Sequence, residues 1–396
     1  MMISVEEAGQ LILAHTKDFG VEEVELLSSV GRTLAQPVVA DRDFPPYDRV
    51  TMDGIAINST TFNNGIRSFP IEKVQAAGSP QPSLDNLQNC IEVMTGAVLP
   101  KNTDAVIPYE QCDIQDGLAT ITTSGISSMQ NVHVKGRDSE SGAVLVEKYS
   151  RVTPAMVGIM ASVGLSKVAI LKYPVIAICS SGDELVEITA QPEPHQVRRS
   201  NGYSLAAALL KEGITAKLYH LPDDKEAMTT AIGSLLEKAD VLLFSGAVSK
   251  GKFDYLPEVL KQLGMKQIFH KVAQKPGKPF LFGTFENGPL VFGFPGNPVS
   301  TFVCYQKFFS PWLYSSLHIK ENKCTARLAE EVSFKPALSY HLLVQVRTEN
   351  ATVNAYPVTG SNSGDLVTLT KADGLITLPA DRDFFECGEI FEVDIF

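Results

Sequence analysis

Five short segments of this chain bring together residues that hold anions and residues that hold hard cations. Ser180-Ser-Gly-Asp-Glu184 offers hydroxyls, a glycine amide and two carboxylates, and Leu221-Pro-Asp-Asp224 offers two more carboxylates. Phe244-Ser-Gly-Ala-Val-Ser-Lys-Gly-Lys-Phe-Asp254 packs glycines, serines, lysines and an acid into one loop. Lys275-Pro-Gly-Lys-Pro279 sets two lysines around a glycine in a loop stiffened by two prolines. Gly293-Phe-Pro-Gly-Asn-Pro-Val-Ser300 leads into a helix expected to start at Pro298, where first-turn amides, Asn297 and Ser300 suit a tetrahedral oxyanion. The chemistry implied is capture of a phosphate-bearing substrate with a divalent ion between it and the acids. Mg²⁺ takes one or two carboxylates, waters and phosphate oxygens. Taken singly, Gly182-Asp-Glu184 reads equally well as a polar turn and Asp223 as a helix cap. The rigid lysine loop resists so plain a reading.

One apparent motif is a decoy. Gly246 to Lys252 follows the phosphate-loop pattern of nucleotide hydrolases up to its last position, which must be Ser or Thr. Here it is Phe253, which cannot ligate Mg²⁺.

Residues 174–318 supply the elements that must position these segments. Strands are expected over 175–179, 216–220, 241–244, 268–272, 280–285 and 290–294. Helices are expected over 200–211, 225–238 (capped by Asp223 or Asp224), 255–263 and 298–314. Such alternation implies a three-layer α/β domain with a mostly parallel sheet. Ligands of open sheets bind at the carboxyl ends of the strands, so all five segments should gather at one edge.

Before this domain, residues 1–173 form an N-terminal region. It opens with an amphipathic helix capped by Ser4, with Glu7 three residues on, and it carries an inserted β subdomain at about 53–146. A helix over 154–163 has Thr153 as cap and Pro154 at its first position. Residues 319–396 read as a small C-terminal β domain with strands over 331–334, 341–347, 351–356, 375–378 and 389–395. The whole is a multidomain α/β protein.

A net charge of −11 over 396 residues argues against general binding of nucleic acid or anionic membrane. Locally the sign reverses: seven lysines (250, 252, 261, 266, 271, 275, 278) face only Asp254 and Glu258 between 245 and 278. Most of these form a solvated face, and the anion-binding reading rests on Lys275 and Lys278. Six scattered cysteines give neither a zinc pattern nor a disulfide framework. With no signal-peptide character and no apolar run of membrane-spanning length, a cytoplasmic protein with reduced thiols is expected. The seven histidines lack ligand spacing and read as structural.

Several motifs, in order, closely resemble those of the molybdopterin molybdenumtransferases, the family of bacterial MoeA and the C-terminal part of gephyrin. They are Thr51-Met-Asp-Gly-Ile-Ala, Met94-Thr-Gly-Ala-Val-Leu-Pro with Asp104-Ala-Val, Gly136-Arg-Asp, Ser181-Gly-Asp-Glu-Leu, the loop from Ser245 to Tyr255, Lys275-Pro-Gly-Lys-Pro and Gly293-Phe-Pro-Gly-Asn-Pro-Val-Ser. The resemblance covers about 4–312 and implies a four-part, L-shaped homodimer with a molybdopterin-binding fold at 174–318. It implies Mg²⁺-dependent insertion of molybdate into adenylylated molybdopterin with release of AMP. By match to the motifs, Asp53, Asp138, Glu184, Asp223 and Asp254 are the functional acids, the last three disposed toward Mg²⁺. Substrate would meet Ser181, Gly182, Asp183, Asn201, Ser245, Gly246 and Ser249, and then Lys275, Gly277, Lys278, Pro279, Pro295, Gly296, Asn297 and Ser300. Asp53 and Asp138 would face the partner's cleft, so the site would be shared between subunits.

Three departures from the family stand out, one being Lys250 and Lys252, which the family does not require. Ala247 replaces the second glycine of the usual Gly-Gly-Val-Ser, and Pro336-Ala-Leu-Ser-Tyr340 lacks the arginine expected near the start of the tail domain. A catalytically silent scaffold of the same fold, or an enzyme acting on another pterin or nucleotide anion, would share most of these motifs.

Overall fold

The computed structural model describes residues 2–246, 255–321, 323–358, 360 and 364–396. Ala247, Ser249, Lys250, Lys252 and Asp254 lie outside the described residues. The chain divides into two compact units, Val24–Val30 with Leu34–Val168, and Met1–Glu23 with Gly31–Thr33 and Ala169–Phe396.

The first unit is built on a six-stranded sheet in the order Ala105–Pro108, Gly54–Ile57, Cys90–Val93, Ser68–Gln75, Leu118–Ile121, Cys112–Gln115. Gly54–Ile57 is buried along its whole length because both faces are covered. Ile55 and Ile57 pack with Phe62 and Phe69, and Ala56 packs with Val50 and Ile91. A Cβ at Gly54 would fall on the carbonyl of Ile107, so the residue following Asp53 has to be glycine. The helix Pro154–Ser162 starts as its sequence dictates, with the Thr153 hydroxyl accepting from the Met156 amide and proline in the first turn.

The second unit carries the α/β sheet. Its strands are β1 (Ile176–Ser181), β2 (Lys217–Leu221), β3 (Val241–Ser245), β4 (Lys266–Phe269), β5 (Leu281–Thr284) and β6 (Leu290–Phe294). They lie in the order β2-β1-β3-β6-β5-β4. The first four are parallel, β5 runs against them and β4, antiparallel to β5, runs with them again, so the sheet is mostly parallel. Alternation along β1 feeds two cores. Ile176 and Ile178 pack with residues of helices Val5–Leu13, Asn201–Lys211 and Ser310–Ser316. Ala177 and Cys179 pack with helices Lys225–Leu235 and Leu256–Gln262 on the other face. The helix entered at Pro298 passes through a π-helical turn, Tyr305–Phe309, into Ser310–Ser316. Pro311 accounts for the widened turn, because it lacks an amide and crowds the carbonyl one turn back.

The tail closes into a barrel. Ser339–Glu349, Thr352–Pro357, Cys324–Leu328, Ile390–Ile395 and Gly374–Leu378 pair in turn, and the last pairs back with the first. Leu328, Leu342, Val344, Ile376 and Val393 fill it.

The structure corrects several expected bounds. Helix 225–238 ends at Leu235, just past Gly233, a residue that weakens a helix. Strand 268–272 is instead Lys266–Phe269, because the chain then leaves the sheet and Val272 bridges to Ile3. Strand 331–334 shrinks to Val332–Ser333, paired only with Phe384–Phe385. Cys324–Leu328, in which Cys324, Ala326 and Leu328 alternate with the polar Thr325 and Arg327, is an additional strand. Among the described residues no helix is long and apolar enough to cross a membrane, and all six cysteines are free thiols.

Candidate active site

At the carboxyl ends of β1 and β2 the backbone sets two carboxylates beside one cavity. Gly182 follows β1 with φ +143°, and a Cβ there would lie 2.6 Å from Glu184 Oε2. Glu184 therefore folds its carboxylate back over the glycine. After β2, Asp224 caps the helix by accepting from the Ala227 amide at 2.8 Å, which leaves Asp223 uncommitted to that task. Asp223 Oδ1 accepts from the Ser181 hydroxyl at 2.8 Å and Oδ2 from the Asp183 amide at 3.3 Å. Asp183 Oδ1 in return accepts from the Asp223 amide at 3.1 Å. Asp183 thus turns to its neighbour's backbone and is not among the lining residues.

The cavity, about 630 Å³, is lined by Ser181, Gly182, Glu184, Asn201, Asp223, Ser245, Gly246, Gly296 and Asn297, among others. Asn201 fastens two of its walls together, donating to Ser245 Oγ at 2.9 Å and to the Gly296 carbonyl at 2.7 Å. Gly246 (φ +95°) is placed so that a Cβ would come within 2.8 Å of the Ser181 carbonyl. The end of β3 can approach β1 this closely only without a side chain.

A second cavity, about 550 Å³, contains the lysine loop: Lys275, Gly277, Lys278, Pro279, Pro295, Asn297 and Ser300 line it. Asn297 lines both cavities, so they adjoin there. The Val272 amide donates to the Lys278 carbonyl at 3.1 Å and closes the loop. The Lys275–Pro276 peptide is cis and Gly277 has φ +90°. Both lysines are exposed while Ser300 is buried. Lys275 Nζ lies 5.5 Å from the ring centre of Phe334, which stacks on Tyr340 at 4.3 Å. The far wall is the tail barrel, through Leu338, Tyr340, His341 and Leu343, with Gly360 and Thr368.

Asp53 and Asp138 belong to the other compact unit. Asp53 Oδ1 accepts from the Thr95 amide at 2.6 Å and the Thr95 hydroxyl at 2.7 Å. These two donors, the amide foremost, hold its pKa below the ordinary carboxylate value. Asp138 faces His133 Nε2 at 2.9 Å, and Arg49 Nη2 lies 3.1 Å from His133 Nδ1. A guanidinium can only donate, so Nδ1 accepts and Nε2 gives its proton to Asp138. Asp138 lines a cavity of about 330 Å³ with Arg42, Phe44, Pro45, Pro46, Arg49 and Ser162.

Three family models tile the chain: the MoeA N-terminal region (domain I and II) over residues 3–164, a probable molybdopterin binding domain over 177–315, and the MoeA C-terminal region (domain IV) over 325–396. A molybdopterin molybdenumtransferase of Synechocystis sp. is 41% identical over 394 residues, covering 98% of this chain and 99% of that one. The chain belongs to the molybdopterin molybdenumtransferase family. A Staphylococcus epidermidis member is 29% identical over 402 residues, 99% of this chain and 95% of its own. The solved structure of the molybdopterin biosynthesis MoeA protein of Pyrococcus horikosii superimposes with a TM-score of 0.86 at 27% identity, covering 100% and 99% of the two chains. The protein is therefore a transferase of molybdenum cofactor biosynthesis, with the MoeA fold.

Within the family's fold this chain places some residues that its motifs did not single out. Arg198 and Arg199 line the acid-bearing cavity. The signal was available in Gln196-Val-Arg-Arg-Ser200, two arginines just ahead of a helix entry. His133 and His341 are indeed isolated in sequence, yet one pairs with Asp138 and the other lines the lysine cavity. Among the described residues no group of three or more His, Cys, Asp or Glu is placed to share a metal ion. Glu184 and Asp223 on one cavity nonetheless satisfy the one or two carboxylates that Mg²⁺ takes.

Proposed function

We propose that this family member inserts molybdate into adenylylated molybdopterin and releases AMP, with Mg²⁺ required. The observation that carries the reading is the adjoining pair of cavities, one with two carboxylates and the other with two lysines, meeting at Asn297. Lys275, Lys278 and Ser300 hold the molybdate dianion, with Gly277, Pro279 and Pro295 shaping its seat. Ser181, Gly182, Asn201, Ser245, Gly246 and Gly296 face the phosphates of the nucleotide-bearing substrate, joined by Ser249 and, through its hold on Asp223, Asp183. Glu184 and Asp223, with Asp254, would hold Mg²⁺, which when bound neutralises charge between these acids and the substrate phosphates. The residues thereby bring a small dianion and a phosphoanhydride together in a fixed orientation, which is a large share of what catalysis needs.

The same reading makes the protein a homodimer in which Asp53 and Asp138 of one subunit complete the cleft of the other. It sets the domain boundaries at 173/174 and 318/319, consistent with the gaps between the three matched regions. Free thiols throughout fit a cytoplasmic location. The test is release of AMP from adenylylated molybdopterin on adding molybdate and Mg²⁺. Release that depends on both is expected, whereas a chain that binds substrate and never turns it over is a scaffold.

A further inference from the structure

Among the described residues no arginine of the tail domain lines the lysine cavity, yet the tail forms its far wall. What the tail supplies instead is a buried chain of hydrogen bonds ending on the lysine loop. Gln274, wholly buried, donates from Nε2 to the Gly277 carbonyl at 2.9 Å, spanning the base of Lys275-Pro-Gly-Lys278. That carbonyl can only accept, so the amide orientation is fixed and Gln274 Oε1 must face the other way. There it meets His341 Nε2 at 2.9 Å. His341 is 1% exposed and stands on the barrel strand Ser339–Glu349. Its Nε2 therefore carries the proton, and its Nδ1 accepts from the Thr377 hydroxyl at 3.0 Å, on the next barrel strand. Every atom in the chain has one permitted role. Backbone pairing runs alongside it: Gln274–Lys275 adds to the barrel as a parallel strand, with Gln274 opposite Ser339 and Lys275 opposite Tyr340.

We propose that Thr377, His341 and Gln274 are positioning residues that fix the lysine loop for its oxyanion, so that the tail barrel contributes to the site by placing charge and supplies none of its own. The inference rests on the reading that this cavity takes molybdate. It assigns a specific task to three uncharged residues, which act through the lysine loop. Buried polar networks hold geometry well only when every member is satisfied. Placement within about half an ångström is what such a support has to deliver.

The experiment uses the full-length protein and molybdate itself, with the dissociation constant measured by calorimetry and that of AMP measured in parallel. Gln274→Met keeps the volume and removes both polar ends, and molybdate binding should weaken by about tenfold or more. AMP binding, which belongs to the neighbouring cavity, should stay within about twofold. Gln274→Met with His341→Leu takes out both buried partners together, and it should recover thermal stability lost in the single variant while remaining weak for molybdate. His341→Gln, made with Gln274 intact, can still present an N–H to Gln274 Oε1 and should retain most of the affinity. Thr377→Val, the mildest change, should give a smaller loss in the same direction. Wild-type molybdate affinity in the double variant would overturn the inference, as would equal weakening of AMP and molybdate, which would mark a general structural effect. A wild-type protein that does not bind molybdate would overturn the reading of the cavity as well.

Discussion

Asp223 and Asp224 are adjacent carboxylates with different tasks. Asp224 gives its oxygen to the Ala227 amide and starts a helix, whereas Asp223 lines the cavity with its oxygens on Ser181 and Asp183. Either residue could cap the helix on sequence grounds, and only the backbone angle at the end of β2 decides between them. His341 shows the same dependence on surroundings. Burial, with a smaller contribution from Lys307, pushes its pKa down to about 3 from the usual 6.5. A histidine depressed in this way binds a proton more readily in the unfolded chain. The stability it contributes is complete above about pH 6.5 and drains away as pH falls toward 3, by about 1.4 kcal/mol per pH unit in that window. Urea unfolding between pH 7.5 and pH 5 should therefore show a steeper loss for the wild type than for the Gln274→Met, His341→Leu double variant. Parallel pH profiles for the two would show that His341 does not stay neutral in the fold.

The elements most legible in the sequence were those bounded by their own chemistry. Thr153-Pro154 announced a helix start, and the apolar runs of β1, β3 and β6 end at Ser181, Ser245 and Phe294, where Gly182, Gly246 and Gly296 line one cavity. What the sequence hid were meetings between distant segments. Gln274 and His341 lie 67 positions apart, and nothing local to either residue foretells that closing the barrel joins them. The reversed course of β5 is hidden too, because alternation of apolar residues has the same period in either direction. The β1 turn gives a prediction at this scale. Gly182→Ala would strain a backbone at φ +143° and put a methyl group on the Glu184 carboxylate. Stability should fall by about 1 kcal/mol or somewhat more, and AMP release at least tenfold, the scale on which misplaced groups slow a reaction. Molybdate binding in the adjoining cavity should hold, and unchanged turnover would mean that Glu184 need not lie where it does.

At the scale of the whole molecule, the proposed sharing of sites between subunits makes a distinctive demand. Asp53→Asn and Lys275→Ala should each abolish turnover, since each removes one half of every site. If the subunits of the two variants are mixed and allowed to exchange, about half the dimers are hybrids, each with one intact site, and activity should return to about a quarter of the wild-type value. No recovery would place both residues on the same subunit's site. The two adjoining cavities themselves are tested most directly by following molybdate-dependent AMP release and molybdate binding together in Lys278→Ala and Asp223→Asn. Both variants should lose turnover by about a hundredfold or more, with molybdate binding lost in the lysine variant and kept in the aspartate variant. Full AMP release by either variant, or loss of molybdate binding in both alike, would contradict a cleft divided between an anion seat and an acid-lined phosphate site.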